Sequence, residues 1–200
     1  LGLDVVRKRE DGYHEVRMVM QTIHLFDRLE ISKNTSGEIT METNLSFLPT
    51  NENNLVYKAA KLLQDEFAIK DGVHVWLHKY IPVAAGMAGG STDAAAVLYG
   101  MNQIFDLGLT REELMERGVK IGADVPYCIM RGTALAEGIG EKLSKLPPMV
   151  KCPVLIAKPQ ISVSTKFVYE NLKLGSDMVH PDIDRLVADI REKDLYKIAA

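Results

Sequence analysis

Hydrophobic and polar positions alternate or recur in blocks along the chain, and the period changes from block to block. Leu1-Gly2-Leu3-Asp4-Val5-Val6 reads as a strand. The turn Asp11-Gly12 and an apolar-rich run from Tyr13 to about Leu25 follow it, the pattern of a hairpin or bulged return. Leu29-Glu30-Ile31 and Ile39 to Thr43 are further short strands, separated by the polar turn Lys33 to Gly37. Asn54 caps a helix through Phe67, because Leu55, Ala59, Leu62, Leu63 and Phe67 keep helical spacing. Val73, Val75 and Leu77 alternate with His74, Trp76 and His78 at strand period. The spacing of Ala94, Val97, Leu98, Met101, Ile104 and Phe105 predicts a helix over 93–105, and Thr110 with Glu113 forms a capping box for another, ending near Val119. Tyr127 to Met130 and Thr133 to Ala136 are expected as paired strands. Pro147-Pro148 marks a linker, and Val154 to Ala157 is expected as a strand opening a second region, completed by helices near 165–172 and 182–192. Strands come first, then strands and helices interleave irregularly. That favours α+β over a regularly wound α/β sheet.

The sequence has 200 residues, 46% of them hydrophobic and 26% charged, which suits one large domain or one domain and part of another. A net charge of −3 gives no electrostatic reason to expect nucleic acid or an anionic membrane as partner. Cys128 and Cys152 are too few and too separated for a metal knuckle or a disulfide scaffold and are expected as free thiols. His24, His74, His78 and His180 form no ligand spacing. His74 and His78 are four apart on a strand, whereas the two-histidine zinc motif belongs to helices. No apolar run reaches membrane-spanning length, no signal-peptide pattern is seen, and the cytoplasm is the default expectation. The strand already under way at Leu1 and the uncapped helical pattern at Leu195 to Ala200 lead us to expect truncation at both ends.

The segment Pro82-Val83-Ala84-Ala85-Gly86-Met87-Ala88-Gly89-Gly90-Ser91-Thr92 carries the strongest chemical signal. It is a small-residue loop running into a helix, where free amides and the helix dipole suit a phosphate. The same composition also suits a tight turn packed without ligand. A Walker loop is excluded because no lysine follows Gly90. A dinucleotide fold needs an acidic residue ending a second strand, roughly twenty positions on. Asp106 has that spacing, but a helix fills the interval. Asp124, in the short rigid turn Gly122-Ala123-Asp124-Val125-Pro126, is the candidate to accept a proton from a substrate hydroxyl, the alternative being an Asx-turn that caps its own backbone. Tyr13 and His14, just after Asp11-Gly12, are placed to grip a flat base, or else simply form the start of a strand.

Taken in order, Asp11-Gly12-Tyr13-His14-Glu15, Pro82 to Ala95 and Gly122 to Pro126 resemble the GHMP kinase superfamily over essentially the whole chain. The first of these motifs resembles the branch that acts on a cytidine diphosphate-linked methylerythritol. The resemblance implies an α+β fold: a ribosomal-S5-like N-terminal domain over residues 1–148 and the start of a GHMP C-terminal domain over 149–200. It implies ATP with Mg2+ as cofactors and a small-molecule acceptor. The ATP phosphates would lie on Pro82 to Thr92, with Lys79 nearby and Asn54 and Leu55 near the adenine. Asp124 would be the catalytic base, and Tyr13 and His14 would hold the cytosine with Tyr169 as a stacking partner. The family's usual Gly-Leu-Gly-Gly-Gly-Ser-Ser is here Gly86-Met87-Ala88-Gly89-Gly90-Ser91-Thr92. The resemblance also implies a catalytic lysine ahead of Leu1 and a late glycine-rich motif, neither of which lies in this sequence. A kinase for mevalonate-type or sugar substrates, or an inactive ligand-binding relative, are the alternatives.

Overall fold

A computed structural model describes residues 1–159, 161, 165–175 and 178–199, with Thr165 and Lys166 described by backbone alone. In chain order the elements are β1 (Gly2–Lys8), β2 (His14–Gln21), β3 (Arg28–Asn34), β4 (Ile39–Thr43), α1 (Leu55–Glu66), β5 (Gly72–His78), α2 (Gly89–Ile104) and α3 (Arg111–Val119). They continue with α4 (Val125–Met130), β6 (Thr133–Gly138), β7 (Lys142–Lys145), α5 (Thr165–Asn171), α6 (Ile183–Glu192) and α7 (Leu195–Ile198). These fall into two compact units, one of Leu1–Ile23 with Arg131–Ala200, the other of His24–Met130.

The first unit is built on an antiparallel sheet in the order β1-β2-β6-β7. Gly12, at φ 86°, makes the β1–β2 turn that the Asp-Gly pair predicts. Asp11 stabilises it by accepting the Tyr13 amide at 3.1 Å. Helix α6 is amphipathic, and its Ile183, Val187 and Ile190 pack on Val19 of β2 and on Leu146. Burying aliphatic side chains of this kind is worth about 1.5–3 kcal/mol each.

The second unit sets α1 and α2 against the three-stranded sheet β3-β5-β4, in which β5 is antiparallel to β3 and parallel to β4. The alternation read in β5 holds: Val73, Val75 and Leu77 are buried in the core. Asn54 caps α1 by accepting the Val56 amide at 2.9 Å, and the Thr110–Glu113 capping box forms at α3.

Three expectations are corrected. Tyr127 to Met130, expected as a strand, belong to helix α4, and β6 pairs with β2 and β7 instead. A short apolar run does not distinguish a buried helix from a buried strand. Here Val125 to Cys128 are all buried, α4 packs on α2 and α3, and Pro126 sits in the first turn, where no helical donor is lost. Residues 154–157 take no regular structure. Leu155 is almost wholly exposed, and no ladder partner meets the segment among the described residues. The strand expected through Leu25 stops at Gln21. Among the described residues, no helix is long and apolar enough to cross a membrane.

Candidate active site

The phosphate-loop candidate hangs from the end of β5, and its approach is fixed by the side chains of Asn44 and Asp27. Asn44 grips the backbone of Lys79 on both sides, accepting its amide at 2.8 Å and donating to its carbonyl at 3.1 Å. Asp27 accepts the amides of Tyr80 at 2.5 Å and Ile81 at 2.8 Å. Pro82 then starts a turn in which Ala84, Gly86 and Ala88 all take left-handed backbone conformations, at φ 53°, 68° and 51°. Only glycine adopts this region without steric cost, so the two alanines hold a strained path.

Helix α2 begins at Gly89, five residues before Ala94, where the apolar periodicity starts. Its cap residue, Ala88, offers no side-chain hydrogen bond, and its first turn carries no acidic residue. Thr92 donates its amide to Ala88 at 2.8 Å. Among the described residues, no acceptor meets the amides of Gly89, Gly90 and Ser91. The helix therefore keeps three donors and its partial positive charge for an anion.

The glycines do different work from one another. A Cβ on Gly89 would point inward, 3.0 Å from both Lys79 Nζ and Ile81 Cγ2. At Gly90 it would meet Leu55 Cδ1 at an ordinary 3.6 Å. Gly89 thus permits close packing on Lys79, a role different from clearing space for a ligand. Leu55 borders the loop from α1. The Asn54 side chain is engaged in its cap and in donating to the Pro49 carbonyl at 2.8 Å.

Lys79, expected beside the nucleotide, lies beneath the loop, its side chain 5% exposed. Its ammonium donates to Asp27 and, at 3.0 Å, to Asp93 of α2; those two carboxylates are 1% and 3% exposed. Burial pushes the Asp27 carboxyl up, but the Lys79 ammonium and the two amides outweigh it and hold it below the usual range. Neither aspartate was singled out from the sequence. Asp27 is 52 residues from Lys79 and gives no local signal. Asp93 did leave one: an ionisable residue on the buried face continued by Val97 and Met101.

Asp124 stands immediately before α4 and is half-buried. Its carbonyl accepts the Cys128 amide at 3.1 Å, while its carboxylate meets no hydrogen-bond or ionic partner among the described residues. Burial raises its pKa above that of an ordinary aspartate. Helix α4 packs on α2, and Thr92 Oγ1 lies 3.3 Å from Cys128 Sγ, one turn beyond Asp124. A carboxylate with raised basicity thus immediately precedes the helix packed on α2, whose N-terminus is uncapped.

The aromatic pair lies in the first unit. His14 stacks on Tyr169 of α5, with ring centroids 4.9 Å apart and planes at 26°. Tyr13 is 60% exposed beside them in sequence.

Residues 54–132 match the family described as GHMP kinases N terminal domain. The chain is 58% identical over its full length to a 4-diphosphocytidyl-2-C-methyl-D-erythritol kinase of Lachnoclostridium phytofermentans, covering 69% of that protein. It is 57% identical to the enzyme of the same name from Lachnospira eligens, again over its full length and 69% of the relative. Among solved structures, a 4-(cytidine 5'-diphospho)-2C-methyl-D-erythritol kinase superposes with a TM-score of 0.72 at 30% identity, over 96% of this chain and 68% of that one. A homoserine kinase from Cytophaga hutchinsonii, at 20% identity and a TM-score of 0.63 over 92% of this chain and 61% of that one, shares the fold.

Proposed function

The chain belongs to the 4-diphosphocytidyl-2-C-methyl-D-erythritol kinases of the GHMP family and is an ATP-dependent small-molecule kinase; on that premise we propose how its own residues phosphorylate the 2-hydroxyl of 4-diphosphocytidyl-2-C-methyl-D-erythritol in the non-mevalonate isoprenoid pathway. The observation that carries the proposal is the uncapped, acid-free N-terminus of α2, packed through Thr92 and Cys128 on the helix that follows Asp124.

ATP lays its phosphates on residues 82–92, where the amides of Gly89, Gly90 and Ser91 receive the oxygens. Leu55 and the Asn54 backbone border the adenine. Asp124 takes the proton of the 2-hydroxyl as that oxygen attacks the γ-phosphorus, and ADP leaves. The raised basicity of Asp124 suits a base that must accept a proton near neutral pH. Phosphoryl transfer of this type rests chiefly on positioning and on neutralising the phosphate charge. Mg2+ supplies part of that neutralisation when bound. Among the described residues no cluster of three or more carboxylate, imidazole or thiol groups forms, which fits an ion carried in on the phosphates of the nucleotide. Tyr13 and His14 hold the cytosine, with Tyr169 stacked on His14. Residues 1–148 are assigned to the N-terminal domain and 149–200 to part of the C-terminal one. The same proposal sets the reaction in the cytoplasm on a free small molecule, with neither nucleic acid nor membrane as partner.

A substrate panel tests it. The kcat/KM for the cytidine diphosphate-linked acceptor should exceed those for mevalonate, homoserine and galactose by orders of magnitude. A preference for any of the plain alcohols would move the protein to another branch of the family.

A further inference from the structure

Beneath the phosphate loop, one ammonium is shared between two carboxylates. Lys79 binds Asp27 and Asp93, all three side chains are at least nine-tenths buried, and Gly89 sits directly over Lys79 Nζ. Asp93 Oδ1 is buried without a hydrogen-bond partner. With both carboxylates ionised, the cluster carries a net negative charge under a loop built for an anion. A buried carboxylate oxygen without a donor is costly, and it is relieved if that oxygen takes a proton. Protonated Asp93 leaves the cluster neutral, keeps Oδ2 on Lys79 and supplies a hydrogen bond to Asp27.

We infer that Asp27, Lys79 and Asp93 form a proton-accepting positioning cluster that holds the phosphate loop in place and takes up a proton on Asp93 when a nucleotide's phosphates bind above it. This rests on the phosphate-loop assignment made above and adds a linkage to it. Lys79 then acts on the nucleotide through the loop and not by contact.

Burial pushes the Asp93 carboxyl up to about 7, opposed by Lys79 and supported by Asp27, so the group changes charge in the neutral range. Among the described residues, no hydrogen bond or ion pair joins another charged group of the elements packed against α2 to this cluster. On α1, Lys58, Lys61 and Asp65 line a separate cavity of about 310 Å3. Arg117 of α3 pairs with Glu66. On β3, Lys33 lies over the Phe105 ring and Arg28 pairs with Glu30. On α4, Cys128 faces Thr92, and Asp124 ahead of it is the other carboxyl with a raised pKa.

The test is calorimetric titration of the protein with Mg-ADP from pH 6 to 8, in buffers of different ionisation enthalpy, for wild type and Asp93→Asn. The amide mimics the protonated acid: it keeps an oxygen for Lys79 and cannot titrate. The wild-type Kd should rise about tenfold relative to the variant across that range, one pH unit's worth of proton linkage. Proton uptake on binding should be present in wild type and lost in Asp93→Asn. Equal uptake and parallel pH profiles would overturn the cluster while leaving the kinase assignment standing. If the variant does not fold, wild-type binding without proton uptake at any pH between 6 and 8 overturns it alone. Failure of the wild type to bind Mg-ADP at all would overturn both the cluster and the phosphate-loop assignment.

Discussion

Placing a methyl at Gly89 probes the architecture under the loop. The new Cβ would lie 3.0 Å from Lys79 Nζ and 3.0 Å from Ile81 Cγ2. Both contacts are tighter than ordinary van der Waals distance, so the neighbours must give by a few tenths of an ångström. Lys79 has little freedom to move, because Asp27, Asp93 and Asn44 hold it from three directions. Overpacking of this kind costs about 1–3 kcal/mol, partly offset by up to about 1 kcal/mol from replacing a helix glycine. A net loss of about 1–2 kcal/mol in folding stability is expected in Gly89→Ala, together with a weaker affinity for a non-hydrolysable ATP analogue, because the loop over Lys79 is displaced. Gly90→Ala is the control. Its Cβ would stand 3.6 Å from Leu55 Cδ1, an ordinary contact, so stability should be unchanged or slightly greater. Urea unfolding and calorimetric titration read both variants. If Gly89→Ala matches wild type in stability and affinity, or if Gly90→Ala is equally damaging, the close packing of α2 on Lys79 does not organise the loop.

Asp124→Asn should keep the fold and ATP affinity while lowering single-turnover phosphoryl transfer by about a hundredfold to ten-thousandfold, the usual worth of a positioned base; a wild-type rate would remove Asp124 from the chemistry. Because burial raises the Asp124 pKa and the base works ionised, activity should fall as pH drops through that raised value, so the acid limb of the single-turnover profile should lie above the ordinary aspartate value of about 3.9; a limb at or below that value contradicts the assignment. His14→Ala should raise KM for the cytidine-linked substrate severalfold to tenfold, matching the loss of a stacked aromatic contact worth about 0.5–1.5 kcal/mol. The ATP affinity of that variant should not change, and equal competition by a uridine-linked analogue in wild type would show that the base is not read. Ala88→Gly should stabilise the protein by up to about 1 kcal/mol, since relief of a left-handed alanine outweighs the added chain entropy of glycine; a clear loss in urea unfolding would show that Ala88 bears no strain.

Local chemistry was legible in the sequence wherever neighbouring residues determine the outcome. Asn54, the Thr110–Glu113 box and the Asp11-Gly12 turn each act within a few positions, and each does in the structure what its side chain dictates. The run from Pro82 to Thr92 announced a loop entering a helix, although the helix starts at Gly89 because small residues carry no periodic signal. Long-range pairings were not legible. Nothing near Asp27 marks it as the anchor of Tyr80, Ile81 and Lys79. The pattern over Tyr127 to Met130 suggests a strand because an apolar run is ambiguous until its neighbours are known, and α2 and α3 bury it as part of a helix. Residues 154–157 have strand composition but no strand to pair with among the described residues. The stacking of His14 on Tyr169 joins positions far apart in sequence and has no local signal; the resemblance implies Tyr169 as a partner for the cytosine and does not imply its contact with His14.

The most direct measurement of the central claim is phosphorus NMR of the protein incubated with Mg-ATP and 4-diphosphocytidyl-2-C-methyl-D-erythritol. One new phosphomonoester should appear per ADP formed, attached at the tertiary 2-hydroxyl, with the diphosphate bridge intact. ADP without a new ester, or phosphate attached at any other hydroxyl, would contradict the assignment.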